Sequence, residues 1–248
     1  MKKVVLIIQA RMGSMRLPGK SMMDLAGAPL IGRILERVKR AKKIDEIILA
    51  TSDQEKDNIL ESLAIDYNVS CFRGSENDLV DRYYQAAKLH DAKIVLRLPA
   101  DNPCPEPGEY DRLINYQLSC GKDFSSNICN FMKNGYPDGI GIEAFTFSSL
   151  EKIWNQESNF YKREHVALNY YDYNNDKVPD GSSFSVGTIR CPKKYLRPDI
   201  VLEVNTMKDY QIMKKMYEYL LMRNPNFNFT DIIYWYDNYK EKESLNVK

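Results

Sequence analysis

Apolar and polar positions alternate in two rhythms along the first half of the chain. Val4-Val5-Leu6-Ile7-Ile8 is a continuous apolar run, the pattern of a strand covered on both faces. After Pro29, Leu30, Ile31, Ile34, Leu35 and Val38 recur at helical spacing. Ile47 to Ala50 predicts a second buried strand. Ile59, Leu60, Leu63 and Ala64 then predict an amphipathic helix within Gln54 to Tyr67. A short strand follows near Val69 to Phe72, and a helix carries Leu79, Val80, Tyr83, Tyr84 and Ala87. Ile94-Val95-Leu96 is the next strand, stopped by the turn-rich stretch Pro99 to Pro103. This β-α-β-α-β-α-β order predicts a doubly wound α/β fold, with a mostly parallel sheet and right-handed crossovers.

The rhythm loosens from about 121 to 190. Strand-like runs at Gly139 to Phe147 and Phe184 to Ile189 flank a polar, aromatic helix around Tyr161 to Tyr171, and Asn174 to Ser183 reads as an exposed loop. The expectation is one domain over residues 1–248, with this stretch as an inserted smaller lobe. Ile212, Met213, Met216, Tyr217, Leu220 and Leu221 mark a late helix, and the tail from about Tyr239 is polar and expected to fray.

Composition narrows the class without naming a ligand. Hydrophobic residues are 44% and charged ones 28%, as in a globular protein, and the net charge is +1. That near-neutral balance argues against nucleic acid as a partner. Any polyanion must be met by locally placed Arg and Lys. The apolar start, Val4 to Ile8, is far short of the roughly 20 residues that cross a bilayer. It is also too short for a signal peptide. Five cysteines, an odd number with no C-x-x-C pair, fit a reducing cytosol better than disulfides or zinc.

The chemistry concentrates between the first strand and the first long helix, where Arg11, Gly13, Ser14, Arg16 and Lys20 fall within ten residues. A glycine-containing loop at a strand's carboxyl end is where open α/β sheets bind ligands. Glycine lets the backbone approach phosphate oxygens, successive N–H groups cradle an anion, Arg clamps two oxygens, and Lys adds a point charge. A merely basic surface loop fits poorly with a buried strand feeding straight into it. A Walker A loop fails on spacing, since five residues separate Gly13 from Gly19. Asp101, just past the strand at Ile94 to Leu96, is the best carboxylate for Mg²⁺, which needs only one or two plus phosphates and water. Asp53, also just past a strand, reads more strongly as a cap for the Gln54 to Tyr67 helix. His90 reads as a partner for a helix dipole.

The order R-x-G-S-x-R-L-P-x-K after a first buried strand resembles the cytidylyltransferases of surface-polysaccharide synthesis, which include the 3-deoxy-manno-octulosonate and acylneuraminate enzymes. The likeness is strongest to the spore coat polysaccharide biosynthesis protein F type. Further matches recur in order at Ala50 to Asp53, Arg73 to Asp78, Asp81 to Tyr83, Arg97 to Pro103, Tyr136 to Gly139 with Glu143, and Arg163 to Val166. The resemblance implies transfer of CMP from CTP to a small acidic or phosphorylated acceptor, with release of pyrophosphate. It assigns Arg11, Gly13, Ser14, Arg16 and Lys20 to the nucleotide, together with Ser52, Asp53, Arg73, Gly74 and Ser75. It makes Arg16, Lys20 and Asp101 catalytic, with Mg²⁺ on Asp101, and assigns Asp138, Glu143, Arg163 and His165 to the acceptor. It further implies a cytoplasmic homodimer, with the 121–190 lobe serving the acceptor and the partner copy.

One departure stands out. The family's late V-D-T-x-x-D stretch reads Val204-Asn205-Thr206-Met207-Lys208-Asp209 here, so an amide replaces a metal carboxylate. Asn205 through its carbonyl, or Glu203 on the same strand face, is then the candidate second ligand. A glycosyltransferase of similar fold and a catalytically weakened nucleotide-binding homologue are the alternatives.

Overall fold

The computed structural model describes residues 2–239. The strands are β1 (Val4–Gln9), β2 (Glu46–Ser52), β3 (Ser70–Gly74), β4 (Ile94–Pro99), β5 (Phe124–Ser126), β6 (Glu143–Thr146) and β7 (Val186–Thr188). They form one sheet in the order β3-β2-β1-β4-β6-β5-β7. β1 pairs in parallel with both β2 and β4, and β2 with β3. β6 alone runs against its neighbours β4 and β5, while β7 returns parallel to β5.

The apolar run of β1 is explained by two covered faces. Side chains alternate along a strand, so Val4, Leu6 and Ile8 enter one core and Val5 and Ile7 the other. The first core is built with α1 (Leu30–Val38), α2 (Asn58–Asp66), α4 (Pro107–Cys120), α7 (Met207–Arg223) and α8 (Phe229–Asn238). The second uses α3 (Leu79–Leu89), α5 (Phe147–Gln156) and the aromatic stretch from Val166 to Tyr171, just beyond α6 (Phe160–Glu164). None of the described helices is long and apolar enough to cross a membrane.

The looser half of the sequence departs from its pattern in identifiable ways. Within 121–190, β5, β6 and β7 extend the main sheet, while α5, α6 and the loop after them pack over the α3 face. The strand expected over Gly139 to Phe147 shortens to β6 at both ends: Gly139 turns at φ +86° and the Ile142 N–H donates to Asn127 Oδ1, while Thr146 Oγ1 accepts the Ser149 N–H and starts α5. The helix expected around Tyr161 to Tyr171 ends at Glu164. Asn169 Nδ2 donates to the carbonyls of Lys162 and Val166, so a side chain takes the place of the next helical turn. Helices α4 and α8 are not among the expected elements, but both have strong ends. α4 starts at Pro107 and stops at Gly121 (φ +65°), and α8 opens with a reciprocal Asn228–Asp231 cap. Apart from Tyr239 itself, the polar tail lies outside the described residues.

In this sheet the strand order reverses at β1, which has β2 on one side and β4 on the other. Connections therefore leave β1 and β4 in opposite directions and open a crevice beyond their carboxyl ends. Gln9 and Pro99 pair side by side at that edge.

Candidate active site

The loop leaving β1 is held by its own backbone. Gly19 N–H donates to Met12 O at 3.1 Å, with Gly19 at φ +72°, a conformation open to glycine. Ser14 Oγ accepts from Leu17 N–H at 3.4 Å, and Leu17 is buried beneath the loop. Arg16 and Met15 are exposed on the rim. The Met12 N–H points the other way and donates to Asp57 Oδ1 at 2.7 Å.

Past Gly19 the chain tightens into a short turn, Lys20–Met22, and Lys20 reaches across the crevice. Its Nζ lies 3.1 Å from Asp101 Oδ2 and donates to Val204 O at 2.9 Å. Val204 N–H in turn donates to Asp101 O at 2.8 Å. Three distant segments, after β1, after β4 and before α7, therefore meet at one point. Asp209 Oδ2 fixes the last of these by accepting from Asn205 N, Thr206 N and Thr206 Oγ1. That aspartate closes the capping box of α7 with Thr206. Glu203 and Asn205 do not share a strand as expected, since this segment lies outside the sheet. They still lie close together, near enough for the Asn205 side chain to pull the Glu203 pKa down.

The donor set around this junction is all oxygen. Asp101 Oδ1, Asn102 Oδ1 and Asn205 Oδ1 are buried without a hydrogen-bond partner. No set of three His, Cys, Asp or Glu side chains among the described residues is arranged to hold a metal. Hard oxygen donors in such small number suit Mg²⁺.

Beside Asp101 lies a cavity of about 170 Å³ lined by Arg97, Asn102, Cys129, Asp138, Glu143 and Glu203, among others. Gly139 (φ +86°) packs against Leu202, where a Cβ would come within 2.8 Å of Leu202 Cβ, and this brings Asp138 beside Glu203. Burial and repulsion from Asp101 push the Asp138 carboxyl up, opposed by bonds from the Cys129 thiol and the Gly139 N–H. Burial, Asp101 and Asp138 likewise push Glu203 up, against the bond from Asn205 and the charge of Lys20.

A second cavity of about 150 Å³ opens on the other side of Arg97, between Gln9, Arg11, Glu76, Arg82, Glu164 and His165. Arg97 borders both cavities. Its Nη1 donates to Glu143 Oε2 at 2.6 Å and its Nε to Gln9 Oε1 at 3.2 Å. Tyr173 OH donates to Glu143 Oε1 at 2.6 Å, so this nearly buried carboxylate is fully engaged. Arg11 spans the second cavity's mouth, 3.8 Å from Glu164. His165 packs its ring against Tyr161.

Other sequence candidates sit at the carboxyl ends of β2 and β3, where they bond neighbouring protein groups. Ser52 Oγ donates to Asp57 Oδ2. Asp53 accepts from the Gln54 side chain and caps no helix, contrary to the expectation for it, because the chain turns through Glu55–Asp57 before α2 begins. Arg73 bonds Ser52 O, Gln54 O, Asn58 Oδ1 and Glu61 Oε2, which latches β3 to α2. Gly74 pairs with Ser52, and Ser75 Oγ accepts from Asp78 N–H. Arg163 is held by Asp78 Oδ2 and the carbonyls of Trp154 and Glu157, and it lines neither cavity. His90 meets Glu46 Oε1 at 2.6 Å, a specific partner beyond the helix dipole. Gln9, Asp57, Glu76, Arg82 and Arg97 went unassigned in the sequence. Glu76, Arg82 and Arg97 lie within matched motifs, whereas Asp57 hides in a polar run.

A family model described as cytidylyltransferase matches residues 5–242. The chain is 33% identical over 222 residues to an uncharacterized protein of Methanocaldococcus jannaschii, covering 90% of this chain and 86% of that one. It is 29% identical over 228 residues to the spore coat polysaccharide biosynthesis protein SpsF of Bacillus subtilis, covering 88% of each. The solved structure of a cytidylyltransferase from Leptospira borgpetersenii superposes with a TM-score of 0.84 at 30% identity, covering 100% of this chain and 98% of that one.

Proposed function

The chain belongs to the cytidylyltransferase family, and on that premise we propose that it moves CMP from CTP to a small acidic or phosphorylated acceptor in surface polysaccharide or other glycan synthesis. The similarity to a spore coat polysaccharide biosynthesis protein supports the pathway class. The observation that carries the chemistry is the Lys20–Asp101 contact, because it joins the phosphate loop to the best metal carboxylate.

In this reading an acceptor oxygen attacks the α-phosphorus, the bond to the β-phosphate oxygen breaks, and pyrophosphate leaves. Such a displacement needs positioning and charge neutralisation more than covalent help. Gly13 and Ser14 offer backbone and hydroxyl donors to the phosphates. Arg11, Arg16 and Lys20 balance their charge. Asp101, with Asn205 or Glu203, would hold Mg²⁺, which when bound neutralises phosphate oxygens and makes the α-phosphorus more electrophilic. Asp138 and Glu143 face the cavity beside Asp101, where the acceptor sits, and His165 closes the neighbouring one.

The test is pyrophosphate release in the presence of Mg²⁺. Release should require CTP and acceptor together, across a panel of acidic sugars and sugar phosphates. Consumption of a nucleotide sugar without pyrophosphate would instead favour a glycosyltransferase. Pairing of two copies through residues 121–190, in the cytoplasm, belongs to the same proposal. Sedimentation of the protein as a monomer at micromolar concentration would remove the pairing.

A further inference from the structure

Asp57 is completely buried. It ends the short turn Glu55–Asp57 between β2 and α2, within a polar stretch whose other members are exposed. A carboxylate removed from water needs donors on its oxygens. Asp57 has two: Met12 N–H on Oδ1 at 2.7 Å, and the Ser52 hydroxyl on Oδ2. The guanidinium of Arg82, only 2% exposed, supplies nearby positive charge.

Met12 thus has both backbone groups engaged, its N–H by Asp57 and its carbonyl by Gly19. Gly13 to Pro18 closes on this Met12–Gly19 stem. The preceding residue of the same turn lies beside the loop. Lys56 Nζ pairs with Glu76 Oε1 at 2.5 Å and lies so close to Gly13 that an added Cβ would come within 3.2 Å of it. An anion cradle works only if its N–H groups keep a fixed direction.

We propose that Asp57 is a positioning residue for the nucleotide loop, setting affinity for CTP from beneath without touching the nucleotide. This rests on the reading of Arg11 to Lys20 as the phosphate grip. The carboxylate's task is to accept two hydrogen bonds. Asparagine can share that task, with Oδ1 on Met12 N–H and its NH₂ on Ser52 Oγ, which accepts as readily as it donates. Alanine leaves the Met12 N–H and the Ser52 hydroxyl buried without an acceptor.

Steady-state kinetics on the full-length protein, with circular dichroism confirming the fold, test the assignment. Asp57→Ala should raise the KM for CTP about tenfold to a hundredfold, the size of a lost charge-assisted hydrogen bond. The KM for the acceptor should hold. Asp57→Asn should bring the CTP KM back to within about fivefold of the wild type, since neutral hydrogen bonds are the weaker kind. An unchanged CTP KM in the alanine variant, equal rises for both substrates, or asparagine as poor as alanine would each overturn the assignment. Hydrogen exchange on the wild type gives a second test that needs no variant. The Met12 amide should exchange far more slowly than that of Met15, which is 95% exposed. Equal rates would contradict the anchor. Wild-type protein that binds no CTP, yet protects the Met12 amide, would sink the proposed function and not the anchor.

Discussion

Lys20 and Asp101 stand 81 residues apart in the chain, yet Lys20 Nζ lies 3.1 Å from Asp101 Oδ2. Their side chains are only 12% and 20% exposed, so the contact is partly shielded from water and from salt. The geometry makes the loop after β1 and the turn after β4 a single unit at the sheet's switch point. Lys20 also bonds Val204 O, which ties in the segment carrying Asn205. In the proposed reaction, phosphate charge and metal charge would thereby be handled within reach of one another.

Replacing Lys20 by alanine should lower kcat/KM for CTP by about a hundredfold, or roughly 3 kcal/mol, as for the loss of one preorganised charge in a closed site. Asp101→Asn should act at least as strongly. Initial rates at saturating acceptor check both. Undiminished turnover by the Lys20 variant would detach the loop from the chemistry.

Asn205→Asp adds a carboxylate where Asn205 Oδ1 is buried without a partner. The expected outcome is half-maximal activity at about tenfold lower Mg²⁺, because a charged oxygen binds the ion better than an amide. A titration of rate against Mg²⁺ decides. An unmoved midpoint would show that Asn205 lies outside the metal's reach.

Asp138 provides a pH signature. Burial and Asp101 raise its folded pKa above the unfolded value. The folded state then holds a proton that the unfolded state releases. The stability linked to this group is complete below the unfolded pKa and is lost as pH rises through the folded one. Asp138→Asn should therefore melt higher than the wild type at about pH 8 and lose that advantage near pH 4. Thermal melts in metal-free buffer at both pH values test this. The opposite sign would contradict the shift.

The buried Arg97–Glu143 pair joins β4 to β6 at paired positions of the sheet. Glu143→Ala leaves Arg97 without its carboxylate and should cost about 3 kcal/mol of stability by urea unfolding. A double change, Arg97→Met with Glu143→Leu, should recover most of that loss while abolishing turnover. A loss no smaller in the double variant would show that the pair is not energetically coupled.

What the sequence revealed depended on how local the cause was. The β1 run and the α1, α2 and α3 spacings are local consequences of burial, and they appear where the pattern puts them. Glycine, serine and cation spacing likewise exposes the loop from Arg11 to Lys20. The strand β6 is shorter than its apolar run because Gly139 turns the chain and Asn127 takes the Ile142 N–H at its start, while Thr146 caps a helix at its end, and apolar spacing registers neither competition. Asp57 was illegible for a related reason: its burial comes from Met12 and Ser52, and a polar residue amid polar neighbours carries no periodic signal. Arg73 and Arg163 illustrate the converse. Both fall in matched motifs, yet their side chains are spent on Glu61, Asn58 and Asp78.

The most direct test follows the phosphorus itself. CTP labelled at the α-phosphorus should pass its label to the acceptor, and CTP labelled at the γ-phosphorus should yield labelled pyrophosphate in equal amount. Both transfers should require Mg²⁺ and fail in the Lys20→Ala protein. Release of γ-label as orthophosphate, or retention of the α-label as unreacted CTP across the whole acceptor panel, would contradict a cytidylyl transfer at this site.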